Sequence, residues 1–540
     1  MSRIMMAGAM VLLSLAAPSL AQETSQPCDA DTFQNLTLFG GEILNITTQI
    51  HTNLTFGPES FLTQTNQFPT NITGLDVCEV TVTYTHPGQN DTINALMWLP
   101  QSENWNGRFM GIGGGGWATG SGVVTLQRPA ADGYAAIITD GGHPMVPPES
   151  EPPFWGLTST GNVNWALLQD FAAVALDDAA TLGKGIVRAF YGRSQDYSYW
   201  NGCSTGGRQG HMMAQRYADQ FDGILATAPA INWNEFLIAE YWPQLIMNEL
   251  GEYPSPCELE AVRLAALEAC DSLDGVEDGV ISYPGQCDFD ASTAVGKVYN
   301  CTLTGENVTV TSAAATVANA TWAGPVDANG NSLWYGLTPG TTFDALVNIS
   351  CTDDACVGNP FSIPKDWISI FLERDPDFDM TTINRTSFAR LMRQSVNRYD
   401  SITGTNDPDL TDFRAAGGKL LTWHGLADQL IFPNGTSSYA ERVKALDPDA
   451  DEYYRYFEAP GIFHCGSGPG WFPGDALQSL VDWVENGVAP EVLEARAIPD
   501  MWPGVPGGAT EMRSANLCRY PKVMVYNGGD PNVAESFGCQ

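Results

Sequence analysis

The pentapeptide Gly202-Cys203-Ser204-Thr205-Gly206 constrains this chain more than any other feature. It fits G-x-S-x-G, a nucleophile elbow in which a strand turns sharply into a helix and holds a serine hydroxyl above the sheet. The flanks agree. The aromatic run at 197–200 predicts a strand before it, and residues 208–219 predict a helix after it. Glycine and serine are common, so the pentapeptide alone also describes an ordinary strand-to-helix turn.

Other segments extend the pattern. Val80, Val82 and Tyr84 alternate with threonines, and further strands are predicted at 93–100, 108–112, 134–140, 419–423 and 454–457. Residues 165–191 predict a long helical region with Leu167, Leu168, Phe171, Val174 and Leu182 at its apolar positions. Alternating strands and helices imply an α/β layer fold around a mainly parallel sheet. Residues 28–76 read as loops and short strands. Residues 232–405 break the pattern with loops, helical stretches and half of the 12 cysteines. The chain therefore reads as one α/β domain with a large insertion. Sites in open α/β sheets lie at the carboxyl ends of the strands, so an insertion there would roof the site.

A serine nucleophile needs a base, and the expected chain order is Ser, then Asp or Glu, then His. Of the six histidines, His424 and His464 follow Ser204 at a distance. His464 is preferred because it comes just after a predicted strand, and His424 is read as a structural loop residue. Between serine and base, Asp428 sits in a loop at the end of the 419–423 strand. The competing acids Asp447, Asp449, Asp451 and Glu452 lie in a polar run that reads as solvated. An oxyanion needs two backbone N–H donors. Thr205 supplies one, and Gly115 or Gly116 of the Gly113–Gly116 run the other. That glycine run does not fit the phosphate-binding pattern G-x-x-x-x-G-K-S/T.

The formal charge is −37, which argues against nucleic acid and against anionic membrane surfaces. Arg3, the apolar run from Met5 to Ala17 and Ser19-Leu20-Ala21 read as a signal peptide over residues 1–21. Eleven N-x-S/T sequons, the first at Asn35 and the last at Asn434, fit a secreted glycoprotein. An even number of cysteines with no C-x-x-C pair fits disulfides in an oxidising compartment, not a zinc site. Cys203 and Cys465 adjoin Ser204 and His464, so a contact between those two residues would bring the cysteines to bridging distance. Cys270 and Cys287 flank an acidic loop, while Cys28–Cys78 and Cys518–Cys539 would tie down the termini. Cys257, Cys301, Cys351 and Cys356 are left unpaired by this reasoning. The acidic loop carries Asp271, Asp274 and Asp278 among glycines. It suits a hard cation such as Ca²⁺ or, equally, a solvated surface turn.

Taken together, Cys203-Ser204, Asp428 and His464-Cys465 resemble the CS-D-HC pattern of the tannase and feruloyl esterase family. The resemblance extends through Gly113–Gly116, the run from Gly202 to Gly210, and the loop from Asp271 to Val280. It implies an α/β-hydrolase domain formed by residues 22–230 and 407–540, with an inserted lid at 231–406. It implies lid calcium held by the Asp271, Asp274 and Asp278 side chains and the Val276 and Val280 carbonyls. It also implies a secreted esterase acting on phenolic-acid esters of plant cell-wall polysaccharide or on tannins, with feruloyl preferred to galloyl esters. Two other readings are a calcium-dependent carbohydrate-binding protein without catalysis and a secreted serine peptidase.

Overall fold

Nine strands form one sheet: β1 (Glu42–Phe56), β2 (Ile72–Thr85), β3 (Ile93–Pro100), β4 (Arg108–Ile112), β5 (Ala135–Thr139), β6 (Tyr197–Cys203), β7 (Gly223–Thr227), β8 (Lys419–Gly425) and β9 (Tyr454–Ala459). The computed structural model describes residues 25–58, 65–352, 355–499, 501 and 508–540. The expected signal peptide at 1–21 lies outside the described residues.

The spatial order is β1-β2-β3-β5-β4-β6-β7-β8-β9. The six strands from β5 to β9 in that order pair in parallel. Antiparallel β3, β2 and β1 extend one edge. Successive residues in a strand face opposite sides of the sheet. Ile137, Trp200, Ile224 and Leu420 accordingly pack on one face with helix Ala175–Tyr191. Their neighbours Ile138, Tyr199, Leu225 and Leu421 pack on the other with helix Ala476–Asn486. Both faces are covered, the usual state of a parallel sheet.

Two local expectations need correction. β1 is a 15-residue strand in a region expected to hold loops and short strands. It is an edge strand with no fully buried residue, so it carries no clean apolar alternation to read. The helix after the elbow is Thr205–Arg216 and starts directly behind Ser204, three residues before the predicted start. Gly206 and Gly207 lie in its first turn and are buried. The long helical region over 165–191 is present, with a π-helical turn at Asp170–Val174.

The segment after Ile231 adds helices Trp233–Ala239, Trp242–Leu250, Pro256–Cys270, Ser312–Ala323 and Arg385–Thr403. Their apolar faces build a separate core around Trp233, Leu245, Val262, Ala318 and Leu391. That core reaches the sheet layer through Trp117, Trp155 and Phe171. Six disulfides staple the chain. Cys28–Cys78, Cys203–Cys465, Cys270–Cys287 and Cys518–Cys539 pair as the sequence suggested. Cys257–Cys301 and Cys351–Cys356 complete the set.

Candidate active site

At the end of β6 the backbone turns through Ser204 at φ 62° and ψ −123°, a region that L residues rarely occupy. Three hydrogen bonds hold the turn. Ser204 N–H donates to the Thr227 carbonyl at 3.0 Å, and the Ser204 carbonyl accepts from Arg208 at 2.9 Å and Ala230 at 3.1 Å. Glycine is required where the backbones nest. A Cβ on Gly113 would sit 2.4 Å from Gly206 Cα, and one on Gly202 would sit 2.6 Å from the Gly206 carbonyl carbon. The β4 loop can therefore press against the elbow only if these positions lack side chains.

Ser204 and His464 line the same cleft. His464 is fixed from two sides. Its backbone N–H donates to the Gln429 side-chain oxygen at 3.0 Å, and its Nδ1 lies 2.7 Å from Asp428 Oδ2. Asp428 is fully buried at the end of β8. Its Oδ1 accepts from the Leu430 and Ile431 amides at 2.8 and 2.9 Å. Its Oδ2 is shared with a second imidazole, His424 Nε2, at 3.0 Å. Burial opposes ionisation of Asp428. The facing His464 and the hydrogen bonds from His424 and His464 outweigh it and hold the carboxyl well below the usual range.

His424 is therefore more than a loop residue. Thr436 Oγ1 lies 2.9 Å from its Nδ1, which orients Nε2 toward Asp428. The i, i+4 spacing of His424 and Asp428 was visible in the sequence, but their contact depends on the turn after β8. The competing acids lie elsewhere: Asp447 pairs with Arg414, and Asp451 with Lys444 and Arg519.

The first-turn amide of Thr205 has no carbonyl four residues back within its own helix, so it is free for an incoming oxygen. The Thr205 hydroxyl donates to the Gly116 carbonyl at 2.6 Å and ties the two loops together. Among the glycines, the Gly113 amide donates to Asn201 and the Gly114 amide to Gln209 Oε1. Gly115 pairs with Ala118 in an isolated antiparallel bridge, and Gly116 lines the cleft.

The rest of the cleft is mostly apolar. Trp233, Phe236, Leu237 and Glu240 descend from one helix at i, i+3, i+4 and i+7, so they share a face. Phe361, Ile363, Leu430 and Ile431 complete the wall. Arg208 braces this wall. Its buried guanidinium donates to the carbonyls of Phe171, Ala172 and Thr403, and lies over the rings of Phe171 and Trp233. The first two carbonyls belong to the π-helical turn, whose altered hydrogen bonding frees them for a side-chain donor.

The acidic loop folds on itself. Asp271 accepts from the amides of Asp278, Gly279 and Val280, and Asp274 from that of Val276. Asp278 pairs with Arg513. The Cys270–Cys287 bridge closes the loop. Its donors are hard oxygens, the chemistry a calcium ion takes, and the Val276 and Val280 carbonyls are not drawn into hydrogen bonds of the loop.

The family profile described as "Tannase and feruloyl esterase" matches residues 78–540. The chain is 42% identical over 472 residues to "Probable feruloyl esterase" of Arthroderma benhamiae, with 86% of each covered. It is 28% identical over 519 residues to "Tannase" of Aspergillus oryzae, covering 86% of this chain and 85% of that one. Among solved structures, a tannin acyl hydrolase from Aspergillus niger superposes with a TM-score of 0.82 at 28% identity, covering 93% of this chain and 92% of that one. Feruloyl esterase B from Aspergillus oryzae has the same fold, with a TM-score of 0.75 at 24% identity over 95% of this chain and 100% of that one.

Proposed function

This chain belongs to the tannase and feruloyl esterase family and is a carboxylic ester hydrolase, and we propose that Ser204 is its nucleophile, His464 its base and Asp428 the acid that orients the base. The observation carrying this reading is the chain of contacts from a buried, ionised Asp428 to His464, which faces Ser204 across one cleft. Ser204 Oγ attacks the ester carbonyl while His464 Nε2 takes its proton. Asp428 keeps the other ring nitrogen protonated and stabilises the imidazolium. The developing oxyanion is held by the Thr205 amide and that of Gly115 or Gly116. His464 returns the proton to the departing alcohol, and water then releases the acid from Ser204.

The substrates are esters of phenolic acids on plant cell-wall polysaccharide, with feruloyl preferred to the galloyl esters of tannins. The support is twofold. The relative named as a feruloyl esterase is much more similar than the one named as a tannase. A flat cinnamoyl group also suits a cleft walled by Trp233, Phe236, Leu237 and Phe361. Comparing kcat/KM for methyl ferulate and methyl gallate tests the preference, and a higher value on gallate reverses it. Ser204→Ala tests the nucleophile: activity should fall by at least about 1,000-fold in a folded protein. Labelling of a different serine by a phosphonate ester would refute the assignment.

Two further readings accompany this one. The Asp271, Asp274 and Asp278 side chains with the Val276 and Val280 carbonyls would hold a calcium ion whose contribution is rigidity of the loop, with no part in acyl transfer. The protein is secreted: its six disulfides suit an oxidising compartment. Sequencing the N-terminus of protein recovered from culture medium should find Gln22 first.

A further inference from the structure

The cleft contains one carboxyl group that acyl transfer does not use. Glu240 follows helix Trp233–Ala239 as its C-cap, one turn beyond Phe236 and Leu237, and lines the cleft that holds Ser204 and His464. It is 2% exposed, and its Oε2 is buried with no hydrogen-bond partner among the described residues. The lining around it, from Trp233 to Ile431, is otherwise apolar apart from Ser204, Thr205 and His464. Buried polar groups in folded proteins are nearly always paired, and an unpaired one in a binding cleft calls for a partner from the ligand.

We propose that Glu240 is a specificity-determining residue that hydrogen-bonds a hydroxyl group on the aromatic ring of the substrate. The inference rests on the phenolic-ester reading above and names the polar contact that selects the ring. Burial, and then the nearby charge of Asp428, push the Glu240 carboxyl well above its ordinary range and favour the neutral acid. That state suits both partners. A neutral acid donates one hydrogen bond and accepts others, as a phenol does. It also adds no second negative charge to compete with Asp428 for the imidazolium. A site built to bond a hydroxyl rejects analogues lacking it, because its own polar group is then left unpaired.

The test compares methyl ferulate, which carries a ring hydroxyl, with methyl cinnamate, which carries none, on the wild type, Glu240→Gln and Glu240→Leu. The wild type should favour ferulate in kcat/KM by roughly 10- to 100-fold. Glu240→Leu should lose most of that preference, chiefly through KM on ferulate, while cinnamate turnover is kept or improved. Glu240→Gln retains a donor and an acceptor and should keep most of the preference. Equal loss on both esters in Glu240→Leu, or an unchanged ratio, overturns the proposal. If Glu240→Leu does not fold, Glu240→Ala takes its place: loss of the ferulate preference with cinnamate turnover intact supports the contact, and an equal fall on both esters or an unchanged ratio overturns it. A wild type that cleaves acetyl esters and neither phenolic ester would instead show that the substrate reading itself is wrong.

Discussion

Cys203 and Cys465 are joined by a disulfide with their Cα atoms 5.8 Å apart, so the residues beside Ser204 and His464 are covalently linked across 262 positions of sequence. Both half-cystines are buried and pack with Ala228 in a small cluster. The bridge sets the separation of the serine turn and the histidine loop, which are anchored on β6 and just beyond β9.

Removing that bridge should cost turnover before it costs fold. Cys203→Ala with Cys465→Ala is expected to lower kcat about 10- to 100-fold, because small displacements of reacting groups are expensive. Far-UV circular dichroism should stay near that of the wild type. Unchanged kcat would show that the elbow and the β9 loop hold their positions without it.

His424 should matter although it does not reach the cleft. His424→Phe keeps the ring and removes the donor on Asp428 Oδ2. The buried carboxylate then loses one of two imidazole contacts, a loss of about 1–3 kcal/mol in stability by urea unfolding. With Asp428 less firmly placed, kcat should fall about tenfold with little change in KM. A KM effect alone would argue against this positioning role.

The protein should be more stable at pH 5 than at pH 8. Burial, reinforced by neighbouring Asp91, drives Asp170 up to about 7. Burial with Asp400 nearby drives Glu235 up to about 7, and burial with a hydrogen-bonded Glu151 drives Asp366 up to about 7. In the unfolded chain such groups titrate near roughly 4. Between those values the folded state binds more protons, so stability is fully present below about pH 4 and is lost as pH rises toward 7. Asp428 has the opposite sign: its contribution is present above about pH 4 and lost below it, so it is constant over this window. Calorimetry should show Tm falling by about 5 °C from pH 5 to pH 8. A Tm that rises over that range contradicts the assignment.

Chelation should affect stability first. An ion bound by the folded loop alone stabilises the fold. EDTA should therefore lower Tm, and excess calcium should restore it, while initial rates on methyl ferulate at 25 °C stay within about twofold. Asp271→Asn should reproduce the lower Tm and be insensitive to EDTA. A calcium-soaked crystal with no ion among Asp271, Asp274, Val276, Asp278 and Val280 would remove the site.

Much of this protein is determined by its sequence alone. Most sheet strands from β2 onward are visible because they are buried on both faces or alternate, although β7 at Gly223–Thr227 is not among the predicted strands; the elbow is visible because glycine, serine and a strand-to-helix boundary coincide within five residues. Chain order made Asp428 and His464 the choices that the fold then brought into contact. The cysteines beside the site were pairable because their neighbours had to meet. What only the tertiary structure decided has a common cause: it depends on which distant surfaces face one another. Cys257 and Cys301 meet through the packing of helix Pro256–Cys270 on a small ribbon, which no local pattern encodes. β1 is held by pairing along β2 and not by apolar periodicity. His424 looked like a loop residue until the turn after β8 carried Asp428 back to it. Glu240 reads as an ordinary polar residue at a helix end, and it becomes a buried group because the packing after Ile231 brings that end to the cleft of Ser204.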